Sequence, residues 1–142
     1  MIWTMRIECI TGGYLSDTWI RVVEMDSAST LYDLHQLILD TAGFDHDHLF
    51  RFFVGRNYRR RCMAFGDARD EDGFDGDYRA VTLEQIFPLP KTMKLFYHFD
   101  FGDDWRFEIR RTRKTPSEPA PGIEYPRVIE AIGPNPEQYG QY

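Results

Sequence analysis

The sequence has few of the features that mark cysteine-rich, membrane-spanning or secreted proteins. Its two cysteines, Cys9 and Cys62, stand far apart, so neither a disulfide framework nor a cysteine-based zinc site is indicated. We expect both thiols to be reduced and buried. No apolar run approaches the roughly 20 residues that span a membrane, and the first residues lack the order of a signal peptide. These absences predict a cytoplasmic protein without membrane contact.

Lysine is also scarce. Of 17 basic residues 14 are arginine, which favours bidentate contacts with carboxylates or phosphates. The net charge of −6 argues against a surface that coats nucleic acid. The basic residues nevertheless cluster on either side of an acidic segment: Arg56, Arg59, Arg60 and Arg61 precede it, and Arg106, Arg110, Arg111, Arg113 and Lys114 follow it. A nucleic-acid partner is therefore possible but less favoured than a protein or a small molecule.

The length and composition predict one domain. A chain of 142 residues that is 42% hydrophobic can close a single core. We expect residues 1–142 to form one α+β domain with a mobile acidic loop at 66–80, whose carboxylates repel one another. A proline-rich connector at 115–126 and a C-terminal tail at 127–142 complete the predicted layout.

Hydrophobic periodicity places the first elements. Alternation from Trp3 to Cys9 predicts a strand with an apolar core face, and TWIRVVEM predicts a second strand. Thr30 and Asp33 fit a capping box, and Gly43 is suited to end the helix that follows. The apolar residues of this predicted helix lie on one face: Leu31, Leu34, Leu37, Ile38 and Ala42.

The remaining elements complete a recognisable order. HLFRFFVG and YRRRCMAF predict two more strands, Thr82 and Gln85 predict a second, short helix, and PRVIEAIG predicts a last edge strand. Together with the hairpin described next, this order predicts a mixed sheet packed by one main helix. It is the element order of a β-grasp, or ubiquitin-like, core with an added C-terminal hairpin.

The stretch LFYHFDFGDDWRFEIRRT predicts that hairpin. Its apolar residues fall on one alternating face: Leu95, Tyr97, Phe99, Phe101, Trp105, Phe107 and Ile109. We expect Gly102 to supply the unusual backbone angle of the turn. Asp103 and Asp104 have a structural role available, because aspartate side chains bond neighbouring amides in turns.

Acidic and aromatic side chains at the mouth of this hairpin predict a shallow polar binding site. Asp100 is expected on the face opposite Tyr97 and Phe99, alongside His98, although bonding to turn amides is an alternative role for it. The predicted binding residues are His98, Asp100, Asp103, Asp104, Trp105, Arg106 and Arg110. We predict recognition and no catalysis, because a hairpin turn has no low-dielectric wall to separate two carboxyl pKa values.

Other chemistries have weaker patterns. The serines lack a nucleophile elbow, and DFG stands without the other kinase motifs. His46 and His48 could ligate a metal, but in a strand they would lie opposite Asp45 and Asp47, so no metal site is predicted. His35 is expected to be hydrogen-bonded at the margin of the helical apolar stripe. No cofactor is predicted.

Several segments together resemble a known family. TLYDLHQLILDTAGFDHDHLFRF, VTLEQIF, FYHFDFGDDWRFEI and YPRVIEAIGPNPEQYGQY are similar to the Ri-plasmid ORF-three-like family, also catalogued as insertion-element passengers under a resolvase-type name. The most specific part is a Tyr-x-x-Asp-x-Gly-Asp-x-Trp motif formed by Tyr97, Asp100, Gly102, Asp103 and Trp105. The resemblance implies a prokaryotic or mobile-element α+β protein. A serine recombinase would need an activated serine and a helix-turn-helix, and neither is indicated here.

Overall fold

The computed structural model describes residues 1–67 and 73–139. In chain order the elements are β1 (Ile2–Thr11), β2 (Ile20–Asp26), α1 (Leu31–Ala42), β3 (Phe50–Gly55), β4 (Arg61–Gly66), β5 (Gly76–Asp77), α2 (Leu83–Ile86), β6 (Lys94–Phe99), β7 (Trp105–Arg111) and β8 (Arg127–Ile132). Within these residues eight strands form one sheet in the order β5-β4-β3-β6-β7-β1-β2-β8. The pairs are antiparallel except for the short parallel pair of β4 with β5. The predicted α+β architecture with a mixed sheet is confirmed, whereas its likeness to a β-grasp stays a prediction.

Local sequence signals determine both ends of α1. The Thr30 hydroxyl accepts a hydrogen bond from the Asp33 amide, and the Asp33 carboxylate accepts one from the Thr30 amide, so the predicted capping box is present. Gly43 ends the helix with φ 72°, a left-handed conformation that costs glycine little. The helix therefore begins and ends where the sequence predicts.

One face of the sheet, here called the inner face, packs against α1. The predicted face of β1 is buried, with Met5 and Ile7 fully inaccessible. The shared core also contains Leu34 and Ile38 of α1 and Phe52 of β3. Burial of this apolar surface is the main source of stability.

Two predicted core positions are wrong. Phe101 was expected to continue the apolar face of β6, but the strand ends at Phe99 and the ring is exposed. The chain turns at Asp100, so the alternation that held along the strand no longer applies. Cys62 is exposed on β4, whereas Cys9 is buried as expected.

The C-terminal segment is an edge strand that is fixed at its far end. The predicted last strand is present as β8, and it pairs with β2. Beyond it, the Asn135 side-chain oxygen accepts hydrogen bonds from the Trp19 indole at 2.8 Å and from the Arg21 guanidinium at 2.9 Å. Earlier, Ser117 of the proline-rich connector bridges to Ile2 of β1.

The acidic segment at 66–80 is described only in part, and residues 68–72 lie outside the described ranges. Its second half contributes β5, and Arg79 forms ion pairs with Asp67 at 3.0 Å and with Asp77 at 3.7 Å. The expected mobility of this loop stays a prediction. Within the described ranges, no helix is long and apolar enough to cross a membrane.

Candidate functional site

The turn between β6 and β7 is built by aspartates. Positive φ angles occur at Asp100 (52°) and Asp104 (58°), and the Asp104 amide donates to the Asp100 carbonyl at 2.6 Å. The expectation that Gly102 supplies the unusual angle is therefore wrong. Aspartate tolerates the left-handed conformation because its short side chain can bond nearby amides, as Asp100 does with the amide of Asp103.

Three predicted residues meet beside this turn. His98 of β6 and Arg106 of β7 are cross-strand partners, and Asp104 contacts both side chains. The carboxylate accepts from Arg106 Nε at 2.8 Å and lies 2.7 Å from Nη2, which makes a bidentate pair. Its Oδ1 is also 2.8 Å from His98 Nε2. Nε2 is not aligned with the carboxylate for a hydrogen bond.

The surroundings hold this group in defined charge states. Burial of His98 lowers its pKa, and this outweighs the opposing effect of the Asp104 carboxylate. For Asp104, partial burial raises the pKa, but the hydrogen bond and charge of Arg106 outweigh it, so the net pKa is lowered. At neutral pH the arrangement is therefore a neutral imidazole beside an anion and a cation.

Aromatic rings surround the polar group on the sheet face opposite α1, here called the outer face. The Arg106 guanidinium lies 3.5 Å from the centroid of the Tyr58 ring, and Tyr58 meets His98 edge-on at 5.6 Å. Phe101 lies 4.7 Å from the His98 ring. We call these five residues the outer-face cluster: Tyr58, His98, Phe101, Asp104 and Arg106.

Further arginines extend this layer over the sheet. Arg51, the cross-strand neighbour of His98 on β3, lies over Phe101 at 4.5 Å. Arg61 lies over Phe53 at 4.3 Å and over Tyr58 at 5.2 Å. The outer face thus buries apolar rings beneath guanidinium groups, whose charged heads stay hydrated.

The other predicted site residues lie elsewhere. Trp105 was predicted both as a binding residue and as part of the apolar face of the hairpin; it is fully buried, with its ring 4.7 Å from Phe44 in the inner core. The Trp105 ring also lies so close to Gly12 that any side chain at position 12 would clash with the ring. Asp103 accepts from the Gly13 amide through its backbone carbonyl, and Arg110 lies near the opposite end of β7. Trp105 lies on the same face of β7 as the buried residues Phe107 and Ile109, so the apolar alternation of the strand accounts for its burial.

Asp100 was expected beside His98 but joins a different group. Its Oδ2 lies 3.6 Å from His48 Nε2, and His48 meets the inner-face ring of Phe99 edge-on. The left-handed backbone at Asp100 rotates the side chain away from the outer face. The Asp100 side chain thus lies outside the outer-face cluster, although its backbone carbonyl accepts from the Asp104 amide.

The DHDH segment does not have the predicted alternation, because β3 begins only at Phe50. The Tyr139 hydroxyl instead lies within hydrogen-bonding distance of Asp45, Asp47 and His48 together. His46 pairs with Asp40 at 2.9 Å. Among residues 1–67 and 73–139, no group of three or more His, Cys, Asp or Glu side chains is arranged to hold a metal ion.

Sequence reasoning missed Tyr58, Arg51 and the role of Phe101. Tyr58 lies in the β3–β4 connection, within the basic run RNYRRR, which predicted only a charged region. A tyrosine between arginines was the available signal, since cation–π pairing needs such neighbours. Nothing in the spacing indicated that the connection folds back onto the sheet.

Comparison with known proteins assigns this fold to a family. The model of the plasmid pRiA4b ORF-3-like proteins matches residues 14–140. The chain belongs to the plasmid pRiA4b ORF-3-like family. A protein of unknown function from Methanosarcina mazei Go1 has a similar solved structure, with a TM-score of 0.73 and 22% identity over 92% of this chain and 68% of that one. At this identity the likeness shows the fold alone, and no curated protein matches.

Proposed function

We propose that this plasmid ORF-3-like protein is a non-catalytic, cytoplasmic interaction module whose outer-face cluster recognises a protein partner. The observation that carries the proposal is the bidentate Asp104–Arg106 pair set among aromatic rings on a sheet face that α1 does not cover. We further propose that the protein acts for a plasmid or mobile element, and this part of the proposal rests on the description of the family.

The composition of the cluster favours a protein over a small molecule. Tyrosine and arginine are enriched at the energetic centres of protein interfaces. Phe101, 38% exposed, can enter a pocket on a partner, and the half-exposed carboxylate of Asp104 can accept a further hydrogen bond. The five residues of the outer-face cluster include no serine, threonine or cysteine that a base could activate, so the proposal includes no bond-breaking step.

The nucleic-acid alternative has less support on this face. Arg51, Arg61 and Arg106 each lie over an aromatic ring of the protein itself, so their planar surfaces are already occupied. Phosphate binding would weaken steeply as salt rises, whereas an interface with an apolar centre would weaken little. Salt dependence therefore separates the two functions.

Photo-crosslinking from two exposed positions tests the proposal. A photoreactive phenylalanine analogue at position 101 is expected to trap a defined partner in host cells, whereas the same analogue at exposed Leu49 should not. The trapped protein is then purified, and its affinity for the unmodified protein and for two variants is measured. Arg106→Ala should weaken it at least about tenfold, and Arg59→Ala, which removes an exposed arginine outside the cluster, should not. Unchanged affinity in the Arg106 variant would refute the proposed surface.

A further inference from the structure

A second region of concentrated charge lies near the far end of the same hairpin. The segment 87–94, the end of β7 and the residues after it enclose a groove of about 700 Å³. Its charged lining consists of Lys91, Lys94, Arg110, Arg111, Arg113, Lys114 and a single carboxylate, that of Glu108. A chain with a net charge of −6 thus places six cations around one groove, which we call the basic groove.

Several of these charges remain available for a ligand. Lys94 lies 3.7 Å from Glu108, and Lys114 lies 3.7 Å from Glu24. Within residues 1–67 and 73–139, Lys91, Arg110 and Arg113 form no ion pair. Uncompensated cations along a concave surface attract anions, because the low-dielectric walls focus the field.

The other part of the lining is apolar. Phe87, Leu89, Met93 and Ile109 contribute to the groove, together with prolines of the two flanking segments. Phe87 and Ile109 are also part of the buried core, so this side of the groove is fixed by the fold. An apolar wall with a few cations is the usual make-up of a site for an organic anion, and sites for such ligands enclose roughly 300 to 1,000 Å³.

We propose that the basic groove binds a phosphorylated small molecule of about nucleotide size. Arg110 and Arg113 contact the phosphoryl oxygens, since guanidinium groups match phosphate geometry bidentately. The organic part of the ligand packs against Leu89 and Met93. The groove shares no lining residue with the outer-face cluster, so this proposal and the proposed interaction surface stand independently.

Calorimetric titrations with ADP, pyrophosphate and adenosine test the proposal. ADP should bind more tightly than pyrophosphate, because the faces of its adenine ring can also pack against Leu89 and Met93, and adenosine should not bind measurably. The double substitution Arg110→Gln with Arg113→Gln should weaken ADP at least about tenfold. The matched control, Arg59→Gln with Arg60→Gln, removes the same charge from the exposed β3–β4 connection and should change the affinity by less than about twofold.

Two results would overturn the proposal. One is that ADP shows no binding at millimolar concentration, or that both double variants weaken ADP binding equally. In either case the groove would have no specific role. The other is that short single-stranded oligonucleotides bind more tightly than ADP and that their affinity rises with their length. This result would assign the groove to nucleic acid. Melting curves of both variants verify that each is folded.

Discussion

The two faces of one sheet bury aromatic rings by different means. Phe52 and Phe53 are consecutive residues of β3, and both are fully buried. Phe52 belongs to the inner core, whereas Phe53 on the outer face lies beneath Arg61 and meets Tyr58 edge-on at 5.0 Å. On the inner face, Phe52 shares one buried core with residues of α1. On the outer face, Phe53 is covered by two individual side chains, Tyr58 and Arg61. Burial alone therefore does not distinguish the helix-covered core from the outer face.

Truncating each phenylalanine gives the sharpest test of this comparison. Phe52→Ala should lower the free energy of unfolding by about 4 kcal/mol, because a cavity in a packed core cannot collapse. Phe53→Ala should cost about 2 kcal/mol, since Tyr58 and Arg61 can settle into the space. Urea unfolding of both variants measures the difference. Equal losses would mean that the outer face is a second rigid core.

Lowering the pH should destabilise the inner face through His35. Its ring stacks on Phe50 at 3.6 Å, and its Nδ1 lies 2.6 Å from the Tyr97 hydroxyl. The predicted hydrogen bond is therefore present, but His35 is buried and not at the margin of the apolar stripe. Burial, with a smaller effect from His46, lowers its pKa from 6.5 to about 3. Between these values the unfolded state binds more protons, so stability falls as the pH drops below 6.5.

The expected loss from His35 is about 2 kcal/mol at pH 5 relative to pH 8. His98 contributes in the same direction, because burial lowers its pKa too. Comparison with His35→Gln isolates the contribution of His35, since glutamine does not titrate but can still bond the Tyr97 hydroxyl. If both proteins lose stability equally between pH 8 and pH 5, His35 is not the group responsible.

Neutralising Asp104 should have a smaller effect on stability and a clear effect on its neighbour. Asp104→Asn keeps a residue that tolerates the left-handed backbone, and the partly exposed ion pair with Arg106 contributes less than about 1 kcal/mol. Because the carboxylate raises the pKa of His98, its loss should lower that pKa further, as measured by NMR titration. A rise in the pKa of His98 would contradict the geometry of the outer-face cluster.

The smallest effect concerns the two thiols and leaves stability unchanged. Cys62 is exposed, whereas Cys9 is buried on the inner face, and burial raises the pKa of Cys9 to about 12. A thiol reagent should therefore modify one cysteine in the native protein and two after unfolding. Rapid native labelling of Cys9 would show that the inner face opens more readily than its packing implies.

Sequence reasoning predicted well where the structure is governed by local rules. Backbone geometry and apolar periodicity account for the capping box at Thr30, the left-handed Gly43 and the alternation of β1 and β6. At Thr82 only half of the predicted box forms: the Thr82 amide donates to the Gln85 side chain, whereas the Thr82 hydroxyl caps no amide. Each signal lies within a few residues of the feature that it determines.

The failures occur where distant segments meet or the chain changes direction. The turn conformation depends on Asp100 and Asp104, although glycine was the stronger local signal. That turn moves Phe101 out of the core and Asp100 away from His98, which divides the predicted site in two. Tyr58 reaches the site through a connection whose path no periodicity describes. Three of the seven predicted residues, His98, Asp104 and Arg106, remain together.

The C-terminal edge strand has a consequence for the behaviour of the protein in solution. β8 covers the open side of β2, and Arg21 donates hydrogen bonds to the carbonyls of Ile132 and Gly133. Removal of residues 126–142 would leave β2 with unpaired amides and carbonyls, a template for joining other chains. We expect such a truncated protein to self-associate more strongly than the intact chain, as light scattering would detect. β8 thus shields the edge of β2 from pairing with other chains.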